Sequence, residues 1–445
     1  VSPDVYKTKA KDMILHSTNG KSPGISFAEG ISNGLAPDGG LYMPDEFPRL
    51  PMAFFRNIRE MSLKDIAFVI CDTLFGEVLK STQIKGMVDA ALTFDIPLRH
   101  VDDRRYILEL YHGPTFSFKD IGARFMARLL PLLDPEGKGR RNIILASSGD
   151  SGGAVANAFR NLAAKDVVVL YPKGDLTPEQ IMQFATLPHV KAVEVDGSFD
   201  DCQNMVKEVL RADAEKNAGR LTSGNSINLA RELPSIIYFF HAYAQALAAT
   251  DGKGEVVISI PCGNLGGLAA ALMAKKMGLP VNRFIAANNA NDVFVEYLKT
   301  GGFKPQKTLL TLARAMDVGN PSNIARIIDL YGGDLARLRQ DVEGYAYSDD
   351  EIAETMRDTF SRYGILIDPQ GATALRAINR HLADGETGVA LASAHPAKFR
   401  RTVEAVTGAE VPLPDELVNP GSDQRRPSII KIPPTLGALN RVLSV

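Results

Sequence analysis

The sequence predicts an α/β protein: two parallel-sheet α/β subdomains preceded by a mainly helical N-terminal domain. Two observations lead there. From about His100 onward, short apolar runs alternate with Gly-rich turns and helical patterns. That rhythm is the mark of parallel strands covered by helices on both faces. The first hundred residues lack it and carry helical periodicity instead. The repeated units exceed one comfortable sheet, so two subdomains are expected.

The N-terminal domain is assigned to residues 1–99. It holds a turn-rich stretch, GLAPDGGLYMP at 34–44, then helical patterns at 62–75 and 83–91. The core is assigned to 100–412. It opens with an apolar strand at 106–110, a turn His112-Gly113-Pro114-Thr115, and a helix starting near Ser117. Phe118, Ile121, Phe125 and Leu129 share one face of that helix. Strands are expected at 142–146, 166–170, 190–195, 220–223, 255–260, 283–287 and 387–392. Between them lie helices from Ala154, at 178–185, at 199–212, at 229–248 and up to Lys276. Residues 308–344 are less regular, with a helix start near Ser322. Segments 349–362 and 368–382 read as helices, and 364–367 is apolar. The tail, 413–445, is rich in proline and charge and is expected to wrap the surface.

At 445 residues the chain is long enough for two or three domains. Its 45% hydrophobic and 23% charged residues are ordinary for a soluble globular protein. A net charge of −2 with no basic block gives no nucleic-acid footprint. No apolar run approaches the roughly 20 residues that span a bilayer. The first residues show no secretory pattern, so a cytoplasmic location is expected. Cys71, Cys202 and Cys262 are far apart and read as reduced thiols, not as a disulfide framework or CxxC metal site. No metal-ligand spacing is found, and no metal is expected.

Lys119 falls in the first turn of a helix, where the positive end of the dipole disfavours a cation. The same field, with desolvation, keeps an amine neutral and nucleophilic. A solvated lysine beside Asp120 is the alternative. Two Gly-rich turns join strands to helix starts: Ser147–Gly153 (SSGDSGG) and Pro261–Gly267 (PCGNLGG). Glycines let backbone N–H groups approach a phosphate in the field of a helix N-terminus. Neither turn is a P-loop, and neither matches GxGxxG with its distant acid. Either alone could be a structural turn. His395 in SAHPAK reads as a capping residue or a base, and Arg231 as an anion ligand or a surface charge. Together, a lysine at a helix start and anion-cradling turns suit pyridoxal phosphate, which needs a Schiff-base lysine, a phosphate cup and a partner for its ring nitrogen.

The segment HGPTFSFKD resembles the cofactor-lysine motif of the threonine synthase family, of bacterial and fungal type. GLAPDGGLYMP, SSGDSGGAVA, LYPKGDLTPEQ, SGNSINLAR, PCGNLGGLAA, RFIAANNANDVF, AMDVGNPSN and SAHPAKF follow in the family's order. The resemblance implies the tryptophan synthase β-like pyridoxal-phosphate fold, of fold type II. It implies conversion of O-phospho-L-homoserine and water to L-threonine and phosphate. Lys119 would be the Schiff-base lysine and general acid–base. Gly263, Asn264, Leu265, Gly266 and Gly267 would form the cofactor-phosphate cup, and Ser393 would meet the pyridine nitrogen. Asp150 stands where the wider class often has Asn facing the cofactor's 3′ oxygen. Leu265 replaces a frequent Phe, Gly267 an occasional Asp and Ser393 a frequent Thr. Ser148, Ser151, Lys173, Asn228 and Arg231 lie in motifs able to bind the substrate's anionic groups. The same resemblance leaves a monomer or homodimer open. Rival readings are another fold type II enzyme, such as a threonine or serine dehydratase or a cysteine synthase, and a non-catalytic binder of phosphorylated ligands.

Overall fold

Three sheets organise the chain in a computed structural model that describes residues 13–134, 141–160, 162, 166–216, 219–418 and 426–443. The largest has the order Val342–Ala346, Arg283–Asn288, Val256–Pro261, Thr387–Ala392, Arg105–Glu109, Leu98–Asp102. Its neighbours run parallel except the last pair, an antiparallel edge hairpin. The second has the order Ile429–Ile432, Val190–Val195, Val167–Pro172, Asn142–Ala146, Leu221–Ser223 and is parallel throughout. A small antiparallel sheet in the N-terminal region pairs Ile14–Ser17 with Ile25–Ser26 and Tyr42–Pro44.

The central parallel strands are largely apolar because both faces are covered. Every residue of Val167–Pro172 and of Thr387–Ala392 is buried. The N-terminal region packs into the same hydrophobic core as the Lys119–Leu133 helix. Phe54 meets Phe240 at 5.9 Å between ring centroids. Local chemistry sets the helix starts. Ser62, Ser198 and Ser348 each close a capping box with the acid three residues on.

The structure departs from the sequence reading in places with a physical cause. The helix expected over 229–248 is broken into Leu229–Glu232, a tight turn at Leu233–Ser235 and Ile236–Ala249. Pro234 has no N–H to give and sits at the break. The helix expected from Ala154 begins at Asp150, because the Ser147 hydroxyl accepts the N–H groups of Gly149 and Gly152 and organises the first turn. The apolar 364–367 segment is a loop whose Ile365 and Ile367 are core residues. Leu98–Asp102 is a part-exposed edge strand with little apolar signal, and Ile429–Ile432 (IIKI) is a part-exposed edge strand too short to stand out in the proline-rich tail. In the tail, Ile429–Ile432 extends the five-stranded sheet, and Leu439 and Val442 are buried beside Cys202 and Met205. The described tail is therefore part of the fold as well as a surface segment.

Candidate active site

The C-terminal ends of the parallel strands converge on one cavity, the usual place for ligands in open α/β sheets. Its walls include Leu110, Ala146, Pro261 and Ser393, each at or just beyond a strand end. Backbone bonds hold two of these exits together. Leu110 N donates to Ala392 O (3.1 Å), Phe118 N donates to Ser393 O (2.9 Å), and Ser117 bridges Ala394. Lys119 and Ser393 thus face the cavity side by side.

The turn before Lys119 is locked by Asp120. Its carboxylate accepts Thr115 N (2.8 Å) and Thr115 Oγ1 (2.7 Å) and is fully buried. A Cβ on Gly113 would lie 2.5 Å from Asp120 Oδ2, so only glycine fits there. Phe116 takes a left-handed φ of 57°, a strained position three residues before the helix start at Lys119. Asp120 is therefore engaged with the turn, and the alternative of a solvated Lys119 beside it fails. The Lys119 side chain lines the cavity and is part-buried, with the rest of its surface against protein. Burial lowers its pKa; Asp150 pulls it up, Arg231 and Lys398 push it down, and the net shift is downward.

The two Gly-rich turns play different parts. In the first, the buried Ser147 hydroxyl already occupies the N–H groups of Gly149 (3.0 Å) and Gly152 (2.8 Å). Its contribution to the cavity is the side chains of Ser148, Asp150 and Ser151. The second turn is open. Gly263 to Gly267 all line the cavity, and the first helical bond of Gly266–Lys276 is Ala269 N to Leu265 O (2.9 Å). The N–H groups before it have no helical acceptor and lie in the favourable field of the helix start. A Cβ on Gly263 would come within 2.8 Å of Met316 Cα. Leu265 is held at φ 59°. The GNPSN segment clamps this shape: Asn264 Oδ1 accepts Ser322 N (2.6 Å), and Asn323 Nδ2 donates to Asn264 O (3.0 Å). An open N–H cup, a low-pKa lysine and a strand-end hydroxyl are the parts pyridoxal phosphate requires, and the residues present fit that group.

Among the expected substrate contacts, Ser148, Ser151 and Arg231 line the cavity. The Arg231 side chain has no hydrogen bond or ion pair to any described residue, though it is 6% exposed. Its guanidinium lies close over Gly122, where a Cβ would be 2.2 Å from Nη1. The structure does not bring Lys173 or Asn228 to the cavity. Lys173 is solvent-exposed and pairs with Asp196 at 3.2 Å. Asn228 is fully buried; its amide donates to Ile31 O, Thr222 Oγ1 and Ser223 O, and its Oδ1 accepts Ala230 N. It caps a short helix and ties the N-terminal region to the core. His395 is a cap, accepting Ala397 N at its Nδ1 (3.1 Å).

Several cavity residues carried no signal in the sequence. Gln370 is 1% exposed with neither amide atom bonded, and Glu232 lies within 3.2 Å of a Cβ built on Gly266. Lys398 stands behind Asp150, with Nζ 2.6 Å from Asp150 Oδ1. Its presence in SAHPAKF gave no hint of that, because only the fold brings residue 398 to residue 150. No group of three or more potential metal ligands occurs among the described residues.

Comparison with known proteins agrees with this geometry. Residues 97–393 match the family described as pyridoxal-phosphate dependent enzyme. Residues 15–92 match the threonine synthase N terminus and 371–438 the threonine synthase C-terminal family. Threonine synthase of Serratia marcescens is 40% identical over 91% of this chain and 93% of its own length. That of Escherichia coli strain K12 is 38% identical over 91% and 94%. The crystal structure of threonine synthase from Escherichia coli superposes with a TM-score of 0.89 at 35% identity, covering 97% of this chain and 99% of the other. The pyridoxal-phosphate-bound threonine synthase from Brucella melitensis gives 0.85 at 31% identity, covering 97% and 98%. A threonine deaminase from Solanum lycopersicum shares the fold alone, at 18% identity and a TM-score of 0.55. The chain therefore belongs to the threonine synthase family of pyridoxal-phosphate-dependent enzymes.

Proposed function

We propose that this chain converts O-phospho-L-homoserine and water to L-threonine and inorganic phosphate, with Lys119 as the residue that carries and serves the cofactor. The supporting observation is the meeting, in one cavity, of the Lys119 amine, the open Gly263–Gly267 cup and the Ser393 hydroxyl. Bound pyridoxal phosphate supplies the aldehyde that captures an amine and the conjugated ring that delocalises the electrons of a deprotonated carbon. The rest is done by the chain. The N–H groups of the cup hold the cofactor phosphate, and the Ser393 hydroxyl meets the ring nitrogen without placing a carboxylate there. The Lys119 amine would take the α proton and return protons at the same site. Arg231, Ser148 and Ser151 are assigned to the substrate's carboxylate and phosphate. Asp150 faces Lys119 and is assigned to the cofactor side of the cavity.

The decisive test measures phosphate release from O-phospho-L-homoserine with threonine quantified in the same tube. Equal amounts support the reading; phosphate with a keto acid and ammonia refutes the water-addition step. K119A should lose both products and the covalently held cofactor, and a K119A variant with full activity would end the assignment. We further place the chain in the cytoplasm, as a monomer or homodimer acting on a small molecule and not on nucleic acid. No helix among the described residues is long and apolar enough to cross a membrane.

A further inference from the structure

Lys398 is a buried ammonium whose acceptors come from three different parts of the chain. It leaves the six-stranded sheet just after the Thr387–Ala392 strand, in the short Pro396–Phe399 turn of helix. Its Nζ lies 2.6 Å from Asp150 Oδ1 on the Asp150–Ala158 helix. It also donates to Gln183 Oε1 (3.3 Å) on Pro178–Ala185 and to Thr115 O (2.9 Å) in the turn before Lys119. The first two helices cover the five-stranded sheet, so the ammonium spans the junction between the sheets. The ammonium thus makes one ion pair and two hydrogen bonds, and the side chains of Lys398 and Asp150 are 1% and 6% exposed.

This arrangement bears on Lys119. Three charged groups act on its amine: Asp150, Arg231 and Lys398. Asp150 is the anion among them and in turn is faced by Lys398, Lys119 and Asp368. Asp120, beside Lys119 in sequence, is held by Thr115, and Glu232 acts on Arg231 and Arg326. A carboxylate clamped by one lysine is a weaker partner for the other.

We propose that Lys398 is a positioning residue that clamps Asp150 from across the sheet junction, so that the carboxylate does not pair with Lys119 and hold it as an ammonium. Lys119 then stays available to capture the cofactor aldehyde: its nitrogen bonds to the aldehyde carbon, and the carbonyl oxygen leaves as water with the two amine hydrogens. The inference rests on the reading of Lys119 as the cofactor lysine.

The test strips the full chain of cofactor and follows, by absorbance, the rate at which it captures pyridoxal phosphate across pH. In K398M the midpoint of the rate profile should rise by about one pH unit, so that capture near neutral pH slows about tenfold. K398R should keep the wild-type midpoint, and D150N should move it the opposite way. A merely structural Lys398 would lower the melting temperature and leave the midpoint unchanged. Wild-type midpoints in K398M and D150N overturn the proposal, and D150N alone decides it if K398M is recovered only unfolded. Borohydride reduction and peptide mapping of the wild type separate the two levels of failure. Label on a peptide without Lys119 refutes the lysine assignment; label on Lys119 with unmoved midpoints refutes the clamp.

Discussion

Replacing Arg231 with Gln tests the substrate side of the cavity most sharply. The guanidinium is 6% exposed and lines the cavity. Burial pushes its pKa down to about 10, against the pull of Glu232, Asp120 and Tyr238, so it remains a cation at neutral pH. No described residue accepts a hydrogen bond from it. A buried cation without a direct partner is expensive to keep for stability alone. An anionic substrate group is the partner that makes sense of it.

The expected size of the effect follows from that geometry. A hydrogen bond to a charged group contributes about 1.5–3 kcal/mol. Losing it from substrate binding raises KM by roughly 10- to 150-fold, at about 1.4 kcal/mol per tenfold. Because the arginine has no partner in the free protein, R231Q should cost little stability and should hold or raise the melting temperature. The assay is initial-rate phosphate release against O-phospho-L-homoserine concentration, with the melting temperature of the cofactor-loaded protein measured alongside. A KM within twofold of wild type in a well-folded R231Q would refute the assignment. A large fall in melting temperature would show that Arg231 has a structural partner after all.

Two further outcomes follow from geometry and charge. G263A places a Cβ 2.8 Å from Met316 Cα and 3.2 Å from Met316 O, and backbone does not give way as a side chain does. Spectrophotometric titration should show at least about a tenfold loss of cofactor affinity, with overpacking of about 1–3 kcal/mol behind it. G267A should lose less, because its nearest neighbour is the Ile260 side chain at 3.3 Å. His16 joins Asp45 (2.8 Å) to Asp329 (2.9 Å) through its two ring nitrogens. Burial lowers its pKa, but the two carboxylates outweigh that and the folded value is raised. Its stabilising contribution is therefore full below its unfolded pKa and disappears as pH rises through the higher folded one. The melting-temperature gap between wild type and H16N should be widest in mild acid and close in alkali; a gap independent of pH would show that the bridge is not ionic.

Much of the fold was legible because parallel strands buried on both faces leave continuous apolar runs. The strands at 142–146, 190–195 and 387–392 have the bounds that their composition suggests. Edge strands escaped notice for the converse reason: Leu98–Asp102 is part-exposed and carries Arg, His and Asp. In the site, the turns and Lys119 were legible because backbone geometry leaves glycine and helix-start signatures in sequence. Lys173 and Asn228 misled because a motif shows which residues recur together without showing where a side chain points. Asn228 is bound up as a cap, and Lys173 turns to solvent. Lys398, Gln370 and Glu232 are set by contacts across long sequence separations, and such contacts have no local pattern.

The buried charges also explain one another. Lys119, Lys398, Arg231 and Arg326 surround or adjoin the cavity, against the acids Asp150, Glu232 and Asp368. Those acids are not equivalent. Asp150 lies below the ordinary carboxylate range: burial raises its pKa, but Lys398 and Lys119 more than offset this. Burial raises Glu232 despite Arg326 and Arg231, and raises Asp368 to about 7. Near neutral pH, Asp368 is therefore only partly ionised and offsets the surrounding cations incompletely. A cofactor phosphate and a phosphorylated amino acid would bring the missing negative charge. Glu232, next to the open cup, has an oxygen with no hydrogen-bond partner. The same burial that lowers the Lys119 pKa raises those of Glu232 and Asp368, while Asp150 stays an anion between its two lysines.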